Sequence, residues 1–336
     1  MEIFNLIFTI LLFFSFKKSK NEDFISLKTC NVLKGICILA VFIGHTSKIF
    51  KGIFLYKFYC SIGLFAVSLF FFISGYGLMY GYLRKENYQE YFFKKRIFPV
   101  LICYTLACCV YWGISGGGTP LLNIFICSFV PYSWFIFSII SLYLMFLVSM
   151  RLTHRRKPSS MIAFMSFFLA GYVFLSYWIT APYPLMGGHQ MVVFLIGMIM
   201  ATYPAKLKAI CQRRYVLVLF FFVSWGISLT SKYWELPLWS MWMNENVQSY
   251  LFPFVTFSFL MYFCLNKFHG LWLFLQKHSL QIYLAHGIVL HVMKTIDWMP
   301  SEILVFFIFV MTLIIAIVFR SVTNIIGTGR LSLNSK

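Results

Sequence analysis

The run LKGICILAVFIGH (Leu33 to His45) holds a lysine, Lys34, and a histidine, His45, eleven residues apart in an otherwise apolar stretch. On a helix that spacing separates them by about 16 Å along the axis. A second imidazole, His286, follows Lys277 by nine residues in another apolar run and lies roughly 14 Å beyond it. Imidazole titrates near neutral pH and serves as a general base or a transient acyl carrier. A single buried histidine more often only bonds a neighbouring helix. That reading is preferred for His189 and His291, which fall near the ends of their runs. For His45 and His286, two histidines at matching depth, the spacing favours chemistry. A cationic cluster, Lys94, Lys95 and Arg96, lies in YFFKKRIFP (Tyr91 to Pro99). Such clusters usually follow the charge asymmetry of membrane proteins or touch anionic lipid, but they also suit phosphate. Ser74 lies in ISGYG (Ile73 to Gly77), where small residues allow close approach of a helix or a ligand. Trp134 opens SWFIFSIISLY (Ser133 to Tyr143); as a tryptophan beside a span it also fits an interfacial belt. The glycines at 116–118 lack a following Lys-Ser/Thr and read as a flexible connection, not a phosphate loop.

The elements that must position these residues are membrane helices. The chain has 336 residues, 61% hydrophobic and 11% charged, with a mean hydropathy of +0.83. A soluble domain carries roughly a quarter charged residues. Ten windows are apolar and long enough to be candidate spans: 32–49, 58–82, 97–115, 134–150, 160–178, 186–203, 215–230, 248–265, 271–293 and 303–320. Only Pro253 sits well inside one. The expectation is an all-α polytopic transmembrane helix bundle of ten spans, with a possible short N-terminal hydrophobic helix at 3–16. It divides into an N-terminal hydrophobic segment and basic linker (1–26), a membrane domain (27–322) and a cytoplasmic tail (323–336). With both ends of the ten spans in the cytoplasm, that face holds 23 of the 28 basic residues and the other holds 5. The positive-inside rule therefore sets the orientation, and the net charge of +19 is a topology signal, not a mark of nucleic acid. The nine scattered cysteines form no C-x-x-C pair and no Cys/His spacing for a metal, so no metal is expected.

These motifs, in this order, resemble the acyltransferase 3 family of bacterial integral-membrane acyltransferases. LKGICILAVFIGH is similar to its opening Arg-and-His helix, with Lys34 in place of the arginine. FFFISGYGL (Phe70 to Leu78) is similar to its second-helix motif, and KKRIFP (Lys94 to Pro99) to its basic motif before the third span. SWFIFSIISLY is similar to its W-F…Y motif, VFLIGMIMA (Val193 to Ala201) to its F-x-x-G motif, and HSLQIYLAHGIVL (His278 to Leu290) to its S-x-x-I-Y-L-x-H helix. The resemblance runs from about residue 27 to 320. It implies an O-acyltransferase of the bacterial cytoplasmic membrane that uses acetyl-CoA or another acyl-CoA as co-substrate, with no bound cofactor. The acceptor would be a hydroxyl of an extracytoplasmic glycan or lipid-linked saccharide. In that scheme His45 and His286 are catalytic, and Lys34, Arg96, Lys95 and Ser74 bind the donor. Trp134, Tyr143, Tyr283 and Ser279 line the acceptor side or the cavity, and membrane lipids surround the whole. Two departures bear on the donor: Lys34 keeps the charge but not the bidentate fork of arginine, and Phe93 stands where many members carry a further arginine. Some members pass the acyl group to a fused extracytoplasmic domain; about sixteen residues follow the last window here, so direct delivery is expected.

Three other classes fit the sequence less well. A transporter or flippase of lipid-linked glycans also uses buried histidines and cationic pockets, but the two halves of the sequence show no repeat. A glycan polymerase would carry a sizeable charged outer loop, and the outer connections are short. A membrane scaffold leaves two histidines at mid-depth unexplained.

Overall fold

The computed structural model describes residues 2–19, 24–49, 56–116, 123–124, 127–153, 157–180, 190–231, 238–265, 267–293 and 301–333. His189, Gly117, Gly118 and the last three residues lie outside them. The described chain is almost wholly helical. Its helices are α1 (Glu2–Ser15), α2 (Leu27–Ile49), α3 (Tyr56–Arg84), α4 (Phe98–Ser115), α5 (Trp134–Leu152) and α6 (Pro158–Thr180). They continue with α7 (Val192–Thr202), α8 (Pro204–Gln212), α9 (Arg214–Ser231), α10 (Leu238–Leu260), α11 (His269–Lys277), α12 (Ser279–Met293) and α13 (Ser301–Leu333). A π-helical turn, Phe93–Ile97, leads into α4.

Helices occupy all ten apolar windows, yet only six described ones are individually long and apolar enough to cross a membrane. Taking the bent pair α7 and α8 as one span makes seven. The expected ten is therefore not established by length and hydropathy, and three breaks interrupt the apolar runs. Tyr203 and Pro204 bend α7 from α8 by 108°. The window 271–293 is two helices, because His278 leaves the helical backbone and its Nδ1 meets the Phe274 carbonyl at 2.9 Å. The end of the window 248–265 is not helix: Phe263–Leu265 is a strand, β2, paired antiparallel with β1 (Phe16–Lys18). Phe16, read as the end of an apolar helix, therefore belongs to a ladder that joins the end of α1 to the end of α10.

Apolar side chains on α6, α9 and α13 stay exposed, among them Phe167, Trp178, Leu219 and Val310. Exposed apolar surface on helices whose own backbone is fully bonded is what lipid tolerates. By contrast α2 is buried on nearly every side, starting at Ser26, whose Oγ accepts the Thr29 N–H at 3.2 Å as an N-cap. Packing against α2 are α3, α11 and α12. The α3–α7 contact is close because glycines meet backbone: a Cβ on Gly75 would lie 2.0 Å from the Phe194 carbonyl, and one on Gly197 would lie 2.3 Å from that of Phe72. So the first glycine of ISGYG, Gly75, and the glycine of FLIG, Gly197, serve helix packing, while the neighbouring Ser74 faces elsewhere. α1 runs antiparallel to α2. Phe4 packs on Phe42 near the His45 end, and Ser15 accepts the Trp272 indole N–H at 2.9 Å near the Lys34 end.

Pro253 inside α10 has no N–H for the carbonyl of Ser249. The hydroxyl of Ser68, from α3, donates to that carbonyl instead. The freed group is thus satisfied by a neighbouring helix, as a membrane interior requires.

Candidate active site

His45 and His286 reach each other from α2 and α12. Nδ1 of His45 lies 2.6 Å from Nε2 of His286, and the two rings are nearly parallel at 7°. The other ring nitrogen of His286, Nδ1, is 3.2 Å from the carbonyl of Ile282 one turn earlier. A carbonyl oxygen only accepts, so a neutral His286 donates from Nδ1 and holds a lone pair on Nε2. That lone pair accepts the Nδ1–H of His45. The remaining nitrogen, Nε2 of His45, is left with its own lone pair and with no hydrogen-bond partner among the described residues. A helix carbonyl thereby sets the tautomer of both rings and arms one of them as a base.

The turn before α5 closes this pair from the side. The ring of Tyr132 stacks on His45 at 4.6 Å and 24°. Its carbonyl accepts from the hydroxyl of Tyr283, which in turn accepts the Phe135 N–H at 3.3 Å. Tyr132 has φ of +62°, a left-handed backbone that non-glycine residues seldom adopt. A glycine, Gly287, lets the turn sit this close, since its Cβ would lie 2.1 Å from the Pro131 carbonyl. Pro131 in VPYS signals a turn; nothing in the sequence signals that a tyrosine takes the strained position. Tyr132 was therefore missed by sequence reading.

One turn towards the Lys34 end lies a cavity of about 160 Å³. Its polar lining comprises Lys34, Ser74, Tyr143, Ser279 and Tyr283, drawn from α2, α3, α5 and α12. Val41 and Tyr283 line it and precede His45 and His286 by four and three residues, so the histidine pair is the next layer along both helices. Lys34 has no carboxylate partner among the described residues and lies within electrostatic reach of Arg96.

Below the cavity is a wider, exposed pocket of about 440 Å³. Lys85, Lys95 and Arg96 outweigh the one carboxylate in its lining, Glu86, with Tyr88 and Tyr91 beside them. The π-helical turn that carries Lys95 and Arg96 precedes Pro99, whose missing N–H breaks the ordinary ladder there. Arg96 lines this pocket and is within electrostatic reach of Lys34 and Tyr143, which line the cavity. Burial pushes the Tyr88 hydroxyl above its ordinary range, and the Arg96 guanidinium draws it back down.

The structure thus joins His45 to His286, gathers Lys34, Ser74, Tyr143, Ser279 and Tyr283 round one cavity, and sets Lys95 and Arg96 in a separate pocket nearby. Trp134 is not in that lining. It is half-buried with its ring edge-on to Phe135 at 6.3 Å, and Phe135 is the residue that faces the cavity. His291 packs against Tyr111 at 5.4 Å, away from the cavity lining. Among the described residues no cluster of His, Cys, Asp or Glu could hold a metal.

No curated protein and no solved structure matches the chain. The profile of one family, described as an acyltransferase domain, matches residues 28–321 and so takes in every element of the site. This helical, multi-pass membrane chain belongs to the acyltransferase 3 family.

Proposed function

We propose that the protein is an O-acyltransferase of the bacterial cytoplasmic membrane, moving an acetyl group from acetyl-CoA to a hydroxyl of an extracytoplasmic glycan or glycolipid. The observation that carries this is the His45–His286 bond of 2.6 Å, which leaves His45 Nε2 as an unclaimed base. In this reading the CoA phosphates lie against Lys85, Lys95 and Arg96, where charge-assisted hydrogen bonds are strong. The thioester extends past Lys34 and Ser74 towards the histidines. A cavity of about 160 Å³ suits a short acyl group better than a fatty one.

In the chemical step, Nε2 of His45 takes the proton of the acceptor hydroxyl as its oxygen attacks the thioester carbonyl. The new C–O bond forms, the C–S bond breaks, and the imidazolium returns the proton to the departing CoA sulfur. His286 accepts the Nδ1–H throughout and stabilises the charged His45.

The test separates chemistry from binding. With labelled acetyl-CoA, His45→Ala should abolish transfer to membrane glycan while acetyl-CoA binding survives. Lys34→Ala and Arg96→Ala should weaken donor affinity by about 1.5–3 kcal/mol each, the worth of a hydrogen bond to a charged group. Equal loss of acetyl-CoA binding in all three variants would overturn this division of roles.

A further inference from the structure

A second and larger cavity, of about 1000 Å³, lies between α1, α2, α3 and α10. We infer that it seats one anionic glycerophospholipid, with an acyl chain along the groove and the phosphate between Lys17 and Lys267.

The walls are apolar, with Leu12, Cys37, Ala66 and Phe252 as one representative from each helix. The two threonines along its length make no demand on a ligand. Thr9 donates to the Asn5 carbonyl at 2.9 Å and Thr256 to that of Phe252 at 2.9 Å. Free polar groups occur at one end only. There Lys17 and Lys267 both line the groove, and they are held together by structure. Lys17 lies on β1, whose ladder with β2 ends next to residue 267, and the Lys267 N–H bonds to the Ser15 carbonyl at 3.3 Å. Both side chains are exposed, and neither ammonium has a carboxylate partner among the described residues. Lys18, next on the strand, points to the opposite face and does not line the groove.

An apolar slot with two cations at its mouth matches an amphiphile with an apolar tail and an anionic head. A neutral lipid would leave the two ammoniums unpaired, and free phosphate would leave the slot empty. Leu33, Cys37 and Ala40 face this groove, while Lys34, Ile38 and Val41 line the acyl-transfer cavity. The two chambers therefore adjoin neighbouring faces of α2, and the lipid is a resident of the fold and not the acyl acceptor.

The experiment uses the full chain in vesicles of phosphatidylcholine and phosphatidylglycerol, extracted gently and weighed by native mass spectrometry. One retained phosphatidylglycerol is expected in preference to phosphatidylcholine. The double variant Lys17→Gln/Lys267→Gln should lower that preference roughly 25-fold, at about fivefold for each lysine near an anionic surface. Lys18→Gln/Lys208→Gln removes the same charge from exposed sites outside the groove and should leave the preference unchanged. Thr256→Trp, which fills the slot, should remove the retained lipid while both lysines stay. Equal retention of the two lipids by the parent would overturn the inference. So would a control variant that falls as far as the groove variant, or a filled slot that still retains the lipid. Glycerol phosphate competing as well as intact phosphatidylglycerol would also overturn it, since the acyl chain would then contribute nothing.

Discussion

Substituting Gly287 by alanine tests whether the geometry round the histidine pair governs turnover. The added Cβ would lie 2.1 Å from the Pro131 carbonyl oxygen, against an ordinary contact of 3.4 Å, so 3.4 − 2.1 = 1.3 Å must open. The obstacle is backbone and cannot rotate aside. It belongs to a turn tied down by Ser133, whose Oγ donates to the carbonyls of Val130 and Cys127. Either that turn or α12 moves. If the turn moves, Tyr132 leaves His45; if α12 moves, His286 shifts relative to His45. A full 1.3 Å along the 2.6 Å bond would give 3.9 Å, beyond hydrogen-bonding distance. Misplacing a catalytic group by about 1 Å costs on the order of 100-fold in rate, so a loss of that size in turnover is expected. The apparent affinity for acetyl-CoA should change little, because the cationic pocket lies at the other end of the cavity. Overpacking costs about 1–3 kcal/mol, which the better helix propensity of alanine offsets in part. Gly77→Ala is the control, since nothing lies within 4 Å of its Cβ. The assay is labelled acetyl transfer against donor concentration in membranes, with thermal unfolding measured alongside. A Gly287→Ala protein that folds and transfers within a few-fold of the parent would refute the reasoning.

Two further outcomes follow from single contacts. Tyr132→Gly should relieve a backbone strain of about 1–3 kcal/mol and hold or raise the unfolding temperature, yet lower turnover, because His45 loses the ring stacked on it. Tyr132→Phe, which keeps the ring, should stay near the parent, and a glycine variant as active as the parent would contradict the role of the stack. Ser68→Ala should cost about 1–3 kcal/mol in detergent unfolding, because it orphans the Ser249 carbonyl. In a Pro253→Ala background, where a backbone N–H is restored, the same change should cost clearly less, and strict additivity would exclude this account.

The depth of groups along a helix was readable from the sequence, and their rotation about it was not. A rise of about 1.5 Å per residue and the asymmetry of lysine and arginine put His45 and His286 at one level, where the structure brings them into contact. Neighbouring residues on a helix differ by about 100°, and ten windows of nearly uniform hydropathy give no apolar stripe to choose between them. That is why Trp134 was assigned to the cavity side and Phe135 faces the cavity instead. The ladder between Phe16–Lys18 and Phe263–Leu265 was illegible for another reason. Each strand is three residues long and its partner is more than two hundred residues away, so no local pattern marks either. The break at His278 falls in the polar run Gln276 to Ser279, without a proline or glycine, and the His278 side chain turns back onto the Phe274 carbonyl there.

The polar groups inside the bundle also divide by how they are satisfied. Ser68 answers a carbonyl that a proline left free, Trp272 bonds to Ser15, and His286 is bonded at both nitrogens. Each is explained by the protein itself. Lys34 is different: a half-buried cation facing the cavity, near Arg96, with no carboxylate partner among the described residues. Burying such a charge is costly unless something anionic or wet shares the space. The nine acidic residues of the chain include none within α2, α3, α5 or α12, the helices that supply the polar lining. Histidine is also the only side chain on those helices whose unperturbed pKa lies near neutrality. The same sequence choice therefore accounts for both halves of the site. In the function proposed above, withholding carboxylates from these helices leaves Lys34 for an anionic donor and makes His45, its tautomer set by a helix carbonyl through His286, the group left to accept a proton.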